Sequence, residues 1–246
     1  MERDRTCAFD RDVWSKLVEE RFFGITIPKK FGGQELSVKE SLAAHKGLGE
    51  GSLDLGFVFT VSVQSGLATE LLLQFGTNMQ KKMYLDAVIR GEIICAISNT
   101  EHQAGTDMRK VTASVIYNSE GQPFISARKT VCTNVPFADL AFISARNERS
   151  DTFDIYLVDT KPGKTTSWTD QLVGVRTGIT GGLFLDAAPL PDIDACRLGV
   201  AGQGPSILQY CFDLDRLYLA AMVSGCLRGL CDLAMMNIQE RAESDS

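Results

Sequence analysis

The hydrophobic pattern of this chain changes period twice, and those changes limit the folds open to it. Up to about Gly91, apolar residues recur at helical spacing. Residues 10–22 carry Val13, Leu17, Val18 and Phe22 on one face. Gly24 stops that run, and Pro28 with Gly32 and Gly33 makes a turn-rich link. Ser37, with Glu40 three residues on, reads as a capping box opening a second helix towards residues 47–51. A third run, 58–75, is apolar nearly all round, as a buried helix is. A shorter, more polar one covers 78–90. From 93 to about 198 the pattern becomes short β-rich runs at 93–98, 111–117, 123–127, 140–145, 153–158 and 183–185. Turn signals such as Ser119-Glu-Gly121 and Pro162-Gly163 separate them. Evenly spaced short strands predict an antiparallel barrel or sandwich. After Gly202-Gln-Gly204-Pro205 the helical texture returns over 206–239 without a proline. The expected fold is α+β and multidomain: helices over 1–92, a β-domain over 93–200 and a helical segment over 201–246.

Composition removes several classes of function. Hydrophobic residues make up 44% and charged residues 23% of 246, which excludes a disordered chain. A net charge of −6 argues against binding dominated by nucleic-acid phosphates. The charge-free apolar stretch 217–227 is short of the ~20 residues that cross a bilayer, so no membrane span is expected. The charged N-terminus Met1-Glu-Arg-Asp-Arg5 resembles neither a secretory signal nor a transit peptide, which predicts a cytoplasmic location. Seven cysteines (Cys7, Cys95, Cys132, Cys196, Cys211, Cys226 and Cys231) include no CxxC pair and read as reduced thiols, most of them buried. His45 and His102 are far apart and no Cys/His cluster exists, so no metal site is expected. No G-x-S-x-G elbow is present for a serine hydrolase.

Local motifs, in order along the chain, resemble the acyl-CoA dehydrogenase family. Ile25-Thr-Ile-Pro28 with Phe31-Gly-Gly33 is similar to the family's turn between its first helices. Thr100-Glu-His-Gln-Ala-Gly105-Thr106-Asp107 resembles its T-E-x-x-x-G-S-D signature, and Lys129-Thr-Val-Cys-Thr133-Asn134 its K-x-W-I-T-N. Leu172-Val-Gly174-Val-Arg176 and Phe184-Leu-Asp186 resemble later barrel strands, and Phe212-Asp213-Leu-Asp215-Arg216 the first helix of the C-terminal bundle. The resemblance implies an N-terminal helical domain, a middle antiparallel β-barrel and the start of a C-terminal helical bundle whose remaining helices lie outside these residues. It also implies FAD as cofactor, an acyl thioester of coenzyme A or of an acyl carrier protein as substrate, and an electron-transfer flavoprotein or similar acceptor. A homo-oligomer or heteromer is expected, because one apolar helix needs neighbours on most sides.

The resemblance also assigns site residues. Ile97, Asn99, Thr100, Gly105 and Thr106 are expected to line the flavin or thioester site, and Thr133 to contact the flavin. Hydroxyls and exposed backbone N–H groups of a tight turn suit the flavin's polar edge and its phosphates. Val131 stands where the family usually has tryptophan, which bares a wall of the flavin site or widens the pocket. Asp213 and Arg216, three apart on a helix, read either as a surface ion pair or as groups beside the pantetheine arm. Asp215 matches the position of the catalytic base in the isovaleryl-type branch, where the family has Glu. Its other readings are a solvated helix-start aspartate, with the base a late-bundle Glu beyond residue 246. The function implied is oxidation of an acyl thioester to the α,β-enoyl thioester. A non-catalytic subunit paired with a chain that supplies the missing helices, or a flavin monooxygenase on the same fold, are the alternatives.

Overall fold

The computed structural model describes residues 5–160 and 165–244. The turn expected at Pro162-Gly163 lies outside the described residues. Helix α1, Arg11–Glu19, starts at Asp10, whose carboxylate accepts from the Val13 N–H. Helix α2, Val38–Ser52, opens with the expected capping box: the Glu40 N–H donates to Ser37 Oγ and the Ser37 N–H to Glu40 Oε2. Helix α3, Leu55–Phe75, is the apolar core helix, and its turn Val63–Ala68 widens to π-helical geometry. Helix α4 spans 78–89, with a similar π-helical stretch at Lys81–Leu85.

The chain then enters an eight-stranded sheet in the order β6-β7-β3-β2-β4-β5-β8, with β1 also on β4. Its strands are β1 Cys95–Ser98, β2 Ser114–Tyr117, β3 Pro123–Thr133, β4 Leu140–Asn147, β5 Thr152–Asp159, β6 Thr166–Thr169, β7 Thr180–Pro189 and β8 Arg197–Leu198. The pairings are mostly antiparallel, as expected, but β1 and β2 both run parallel to β4. The reason is geometric. Strand β1 pairs with residues 140–143 of β4 and β2 with 146–147, so the two follow one another along a single edge. The segment 99–113 carries the chain from one to the other without reversing it. Among the described residues no ladder joins β6 to β8, so the barrel is a curved sheet that hydrogen bonds do not close. Strands β6 and β8 escape sequence detection because one is a polar Thr-Ser-Trp-Thr and the other only two residues long.

Alternation along the strands gives the sheet two apolar faces. Ala141, Ile143, Tyr156 and Val158 point into the curve with Ile125 and Leu183. Leu140, Phe142, Ile155 and Leu157 point outwards against Leu67, Leu71 and Leu72 of α3. Two amides bolt the helices to the sheet. Gln64 Nε2 donates to the carbonyls of Val88 and Ile93 while its Oε1 accepts from the Cys95 N–H. Asn134 Nδ2 donates to the carbonyls of Thr60 and Cys95.

After a short helix α5, Ile193–Cys196, the chain ends in α6, Gly204–Ser244, which is 41 residues long. Its first half buries Ile207, Cys211, Tyr218, Met222 and Cys226. Its contact with α2 is made by glycines. A Cβ at Gly225 would overlap the Lys46 carbonyl, one at Gly229 the Glu50 carbonyl, and one at Gly49 the Met222 carbonyl. Beyond Cys226 the helix is exposed, and Leu227, Leu230, Leu233, Met236 and Ile238 face solvent. By length and hydropathy alone, Leu55–Phe75 and Gly204–Glu243 each suffice to cross a membrane, so the expectation drawn from residues 217–227 does not describe these helices. The first is enclosed by the rest of the protein.

His45 is fully buried between α2, α3 and α6. Its Nδ1 lies 2.8 Å from the Ser41 carbonyl, its Nε2 2.7 Å from Ser65 Oγ, and its ring 4.5 Å from that of Tyr218. A carbonyl only accepts, so Nδ1 carries the proton of the neutral ring. Burial lowers its pKa to about 4.

Two outcomes follow from this packing. Gly225→Val should cost about 2–3 kcal/mol in denaturant unfolding, because the helices must part. Gly47→Ala, with open space around its Cα, should instead gain roughly 0.5–1 kcal/mol. The unfolded chain protonates His45 near pH 6.5 and the folded protein only near pH 4. Between those values the unfolded state holds the extra proton, so stability falls as pH falls, by about 3 kcal/mol in all at ~1.4 kcal/mol per unit. His45→Gln should remove that share of the acid dependence in unfolding curves taken between pH 7 and 4.

Candidate functional site

The site is built around the segment that links β1 to β2. Glu101 and Ala104 exchange backbone hydrogen bonds, 2.8 and 3.1 Å, closing a tight turn that leaves Gly105 and Thr106 exposed. The Glu101 side chain points inwards and is buried. Its carboxylate accepts from the N–H of Thr112 (2.8 Å) and of Ala113 (3.0 Å), from Thr112 Oγ1 (2.7 Å), and from Gln103 Nε2 (2.9 Å). The fifth donor is Lys129 Nζ at 2.8 Å, from a lysine with no exposed surface. Lys129 also donates to the Asn99 carbonyl (3.2 Å) and to Ser144 Oγ (3.1 Å). Burial alone would raise the Glu101 pKa, but the bonds from Lys129 and Thr112 outweigh it and hold the carboxyl below its ordinary value. Burial pulls Lys129 down, and Glu101 opposes that. The two TE and KT motifs are therefore one structural unit. Sequence reasoning quoted both residues without seeing the pair. The signal was present: Ile125, Ala127 and Lys129 alternate in phase, which puts a lysine on the inner face of β3.

Strand β3 then breaks its own phase. Its register with β7 shifts between Lys129 and Cys132, and Val131 sits in the left-handed region at φ 54°. A β-branched residue pays roughly 1–3 kcal/mol for that conformation. The bulge turns Val131 out of the sheet to 62% exposure, at the lip of a cleft.

Two adjoining clefts meet at Thr100 and Phe212, which line both. The smaller, about 370 Å³, brings together Ile97, Asn99, Thr100, Val131, Thr133 and Asp215. Val63 and Leu67, from the π-helical turn of α3, form its back wall. The larger, about 740 Å³, takes Thr100, Gly105, Thr106 and Arg216 from the expected set. Asp213 lines neither: it is exposed, 2.8 Å from Arg216 Nη1, and bonded to Gln209 Nε2 at 2.9 Å. The surface ion pair is thus what the structure has at that position, with only its arginine facing a cleft.

Asp215 is half-buried on the face of α6 that also carries Cys211 and Leu219. Leu214 packs into the core instead, and Tyr218 bonds to Ser41 Oγ at 3.0 Å. Burial raises the Asp215 pKa, and neighbouring Arg216 acts against that rise. A carboxyl with a raised pKa in a cleft is suited to proton transfer. Arg109 and Arg146, which line the larger cleft, are further residues that sequence reasoning did not single out.

The fit to a flavin rests on unmet polar groups. Asn99 is 8% exposed, and its Oδ1 has no hydrogen-bond partner among the described residues. Among the described residues, Thr133 Oγ1 has only the Thr180 hydroxyl, at 3.4 Å. An orphaned acceptor beside under-bonded hydroxyls in an otherwise apolar cleft calls for a polar ligand edge.

Residues 1–92 match the family described as acyl-CoA dehydrogenase, N-terminal domain, and residues 96–188 its middle domain. The 2-methylacyl-CoA dehydrogenase of Solanum tuberosum mitochondria is 27% identical over 98% of this chain and 58% of its own length. An L-prolyl-[peptidyl-carrier protein] dehydrogenase of Pseudomonas fluorescens is 25% identical over 89% of this chain and 58% of its own. The crystal structure of the prolyl acyl carrier protein oxidase AnaB superposes with a TM-score of 0.88 at 28% identity, over 96% of this chain and 62% of that one. The chain thus spans about three fifths of the length of these relatives.

If the buried pair fixes the site, Lys129→Met should cost about 3–5 kcal/mol, since Glu101 would be left charged and short of a partner. The double variant Lys129→Met/Glu101→Gln should cost clearly less than the sum of the two single changes. Chemical denaturation of all four proteins measures it.

Proposed function

The chain belongs to the acyl-CoA dehydrogenase family, and we propose that it carries the flavin-binding and base-bearing part of an enzyme that oxidises an acyl thioester to its α,β-enoyl form. The observation that carries this reading is the smaller cleft, where Asp215 faces Asn99, Thr100, Val131 and Thr133 from the opposite wall. Asn99, Thr100 and Thr133 are the residues that would hold the flavin of FAD, and Gly105 and Thr106 the part nearest its phosphates. When bound, FAD supplies the acceptor for the two electrons and the proton that leave as hydride from the β-carbon.

What the chain's own residues do follows from their surroundings. Asp215 takes the α-proton onto its carboxylate as the Cα–H bond breaks. Its raised pKa makes it a better base than a solvated aspartate. Val63, Leu67 and Phe212 keep water from the cleft, so that proton and hydride leave together. Val131 offers far less area than an aromatic ring, which leaves that lip of the cleft open to a bulkier or differently shaped acyl group. The names of the relatives support either coenzyme A or a carrier protein as the thiol. A flavoprotein or similar acceptor would reoxidise the cofactor. The exposed apolar half of α6 would be covered by further helices, from a longer chain or from a second subunit.

Asp215→Asn tests the assignment. It keeps the shape and removes the basicity, so flavin reduction by acyl thioester should fall about 10²–10⁴-fold in stopped-flow absorbance, with flavin binding unchanged. Reduction at the unmodified rate would move the base elsewhere.

A further inference from the structure

We propose that Trp168 is a flavin-contacting residue, whose indole covers from β6 the apolar part of the flavin ring that Val131 leaves bare on β3; the assignment rests on the flavin reading above. Side chains alternate across a strand, and Leu183 of β7 is buried in the inner core, so Thr180 and Gly182 share the outer face. Thr180 pairs with Thr133 there, and both line the smaller cleft. Gly182 lies between Gly181, paired with Cys132, and Leu183, paired with Lys129, which sets it across from the bulge that turns Val131 outwards. The register of β6 puts Trp168 opposite Gly182. Trp168 is therefore on the cleft's face of the sheet, at the level of Val131. The ring is held in that place. A Cβ at Gly182 would run into Cζ2 and Cε2 of the indole on one side and the Lys129 carbonyl of β3 on the other. The indole thus fills the side-chain space of Gly182 and leans from β6 towards β3. Its Nε1 donates to Asp170 Oδ1 at 3.0 Å, which fixes its rotation. It is half-buried, so one surface remains free. Leu172 and Val175, which follow in the chain, line the smaller cleft itself.

The chemistry of the ring calls for such a surface. A flavin is amphipathic along its length. Its pyrimidine end is polar, and Asn99, Thr100 and Thr133 suit it. Its dimethylbenzene end has no hydrogen-bonding atom and needs apolar area, of which a valine gives little. An indole gives the largest apolar area of any side chain and an electron-rich face for an electron-poor ring. The residue at 168 is not the one the family motif places on β3: the tryptophan here stands on a different strand and reaches the same surface across a glycine. The chain has one other tryptophan, Trp14, which is enclosed with Phe23, Phe57 and Val61 and lines neither cleft. An aromatic ring over a strand glycine also shields bare backbone. That role needs no flavin, and the test separates the two.

The flavin-free chain is titrated with FAD, and flavin emission and Kd are read. An indole in contact with a flavin quenches its emission by electron transfer. The expected result is quenched emission in the wild type and in Trp14→Phe, and emission recovered several-fold in Trp168→Leu with a Kd about 10-fold higher. Trp168→Phe should give an intermediate Kd. Adding Val131→Trp to Trp168→Leu should restore both quenching and affinity, because it returns an indole to the same face from β3. A ring that only shields Gly182 could not be replaced from there. Lumiflavin, the ring without ribityl chain or diphosphate, should show the same ratios between variants. Emission and Kd equal in wild type and Trp168→Leu overturn the proposal. So does a loss of flavin binding in Trp168→Leu that tracks a lower unfolding midpoint and is not restored by Val131→Trp, since the ring would then serve the sheet alone. A chain that binds no flavin in any variant removes the flavin reading together with this inference. Flavin that is bound and indifferent to Trp168 removes the inference and leaves the reading.

Discussion

The candidate site depends on one buried ion pair. Removing a carboxylate and an ammonium from water is costly, and their attraction repays the cost only when every remaining donor and acceptor is satisfied. Glu101 meets that condition with five donors, and Lys129 with three acceptors. The pair does more than neutralise itself. It joins the segment 99–113 to β3 and, through Ser144, to β4. Since β1 and β2 lie end to end on one edge of β4, that segment would otherwise be a loose crossing between them. Pinned from inside, it turns Asn99 to one cleft and Gly105 and Thr106 to the other, with Thr100 at their junction.

The opposite wall is set by backbone contact. Helix α6 meets α2 where Gly49, Gly225 and Gly229 remove the Cβ layer from the interface. Gly66 does the same on α3, where a Cβ would run into the Tyr218 ring. These contacts bear on the length of the proposed base. Aspartate is shorter than glutamate by one C–C bond, about 1.5 Å. A short base needs a helix that lies close to the cleft. Gly66 sits between Val63 and Leu67, and Tyr218 lies one turn from Asp215, so this close contact falls within a turn of the carboxylate.

Much of this was legible in the sequence, and the rest was hidden for definable reasons. The period change near Gly91 separated helices from strands because the two are buried on different repeats, 3.6 and 2. The Ser37–Glu40 cap is a local interaction and was read locally. The parallel pairing of β1 and β2 with β4 was not readable, because strand direction depends on where a crossing segment goes and not on its own residues. The phase break at Val131 was equally hidden: a valine in a β-rich run gives no sign of a left-handed φ. The Lys129–Glu101 pair joins residues 28 apart in sequence, and only the inward phase of Lys129 hinted at it. Of the proposed ligands, Asp213 is the one the fold turns away, since residues 213 and 215 lie about 200° apart around a helix.

Strain and unmet polarity converge on the same place. Val131 holds a conformation that costs stability, Asn99 Oδ1 is buried without a partner, and Asp215 is held in a surrounding that disfavours its charge. Each is unfavourable for folding alone, and none is explained by packing. All three line one cleft of about 370 Å³, and the buried Lys129–Glu101 pair is tied to it through the bond from Lys129 to the Asn99 carbonyl. A fold that spends a saturated hydrogen-bond network on holding unsaturated groups in place is organised around what those groups will bind. The bulge at Val131 is part of that arrangement. Without the register shift after Lys129, the strand could not keep its lysine inside, turn residue 131 out to the cleft, and still return Cys132 to the core.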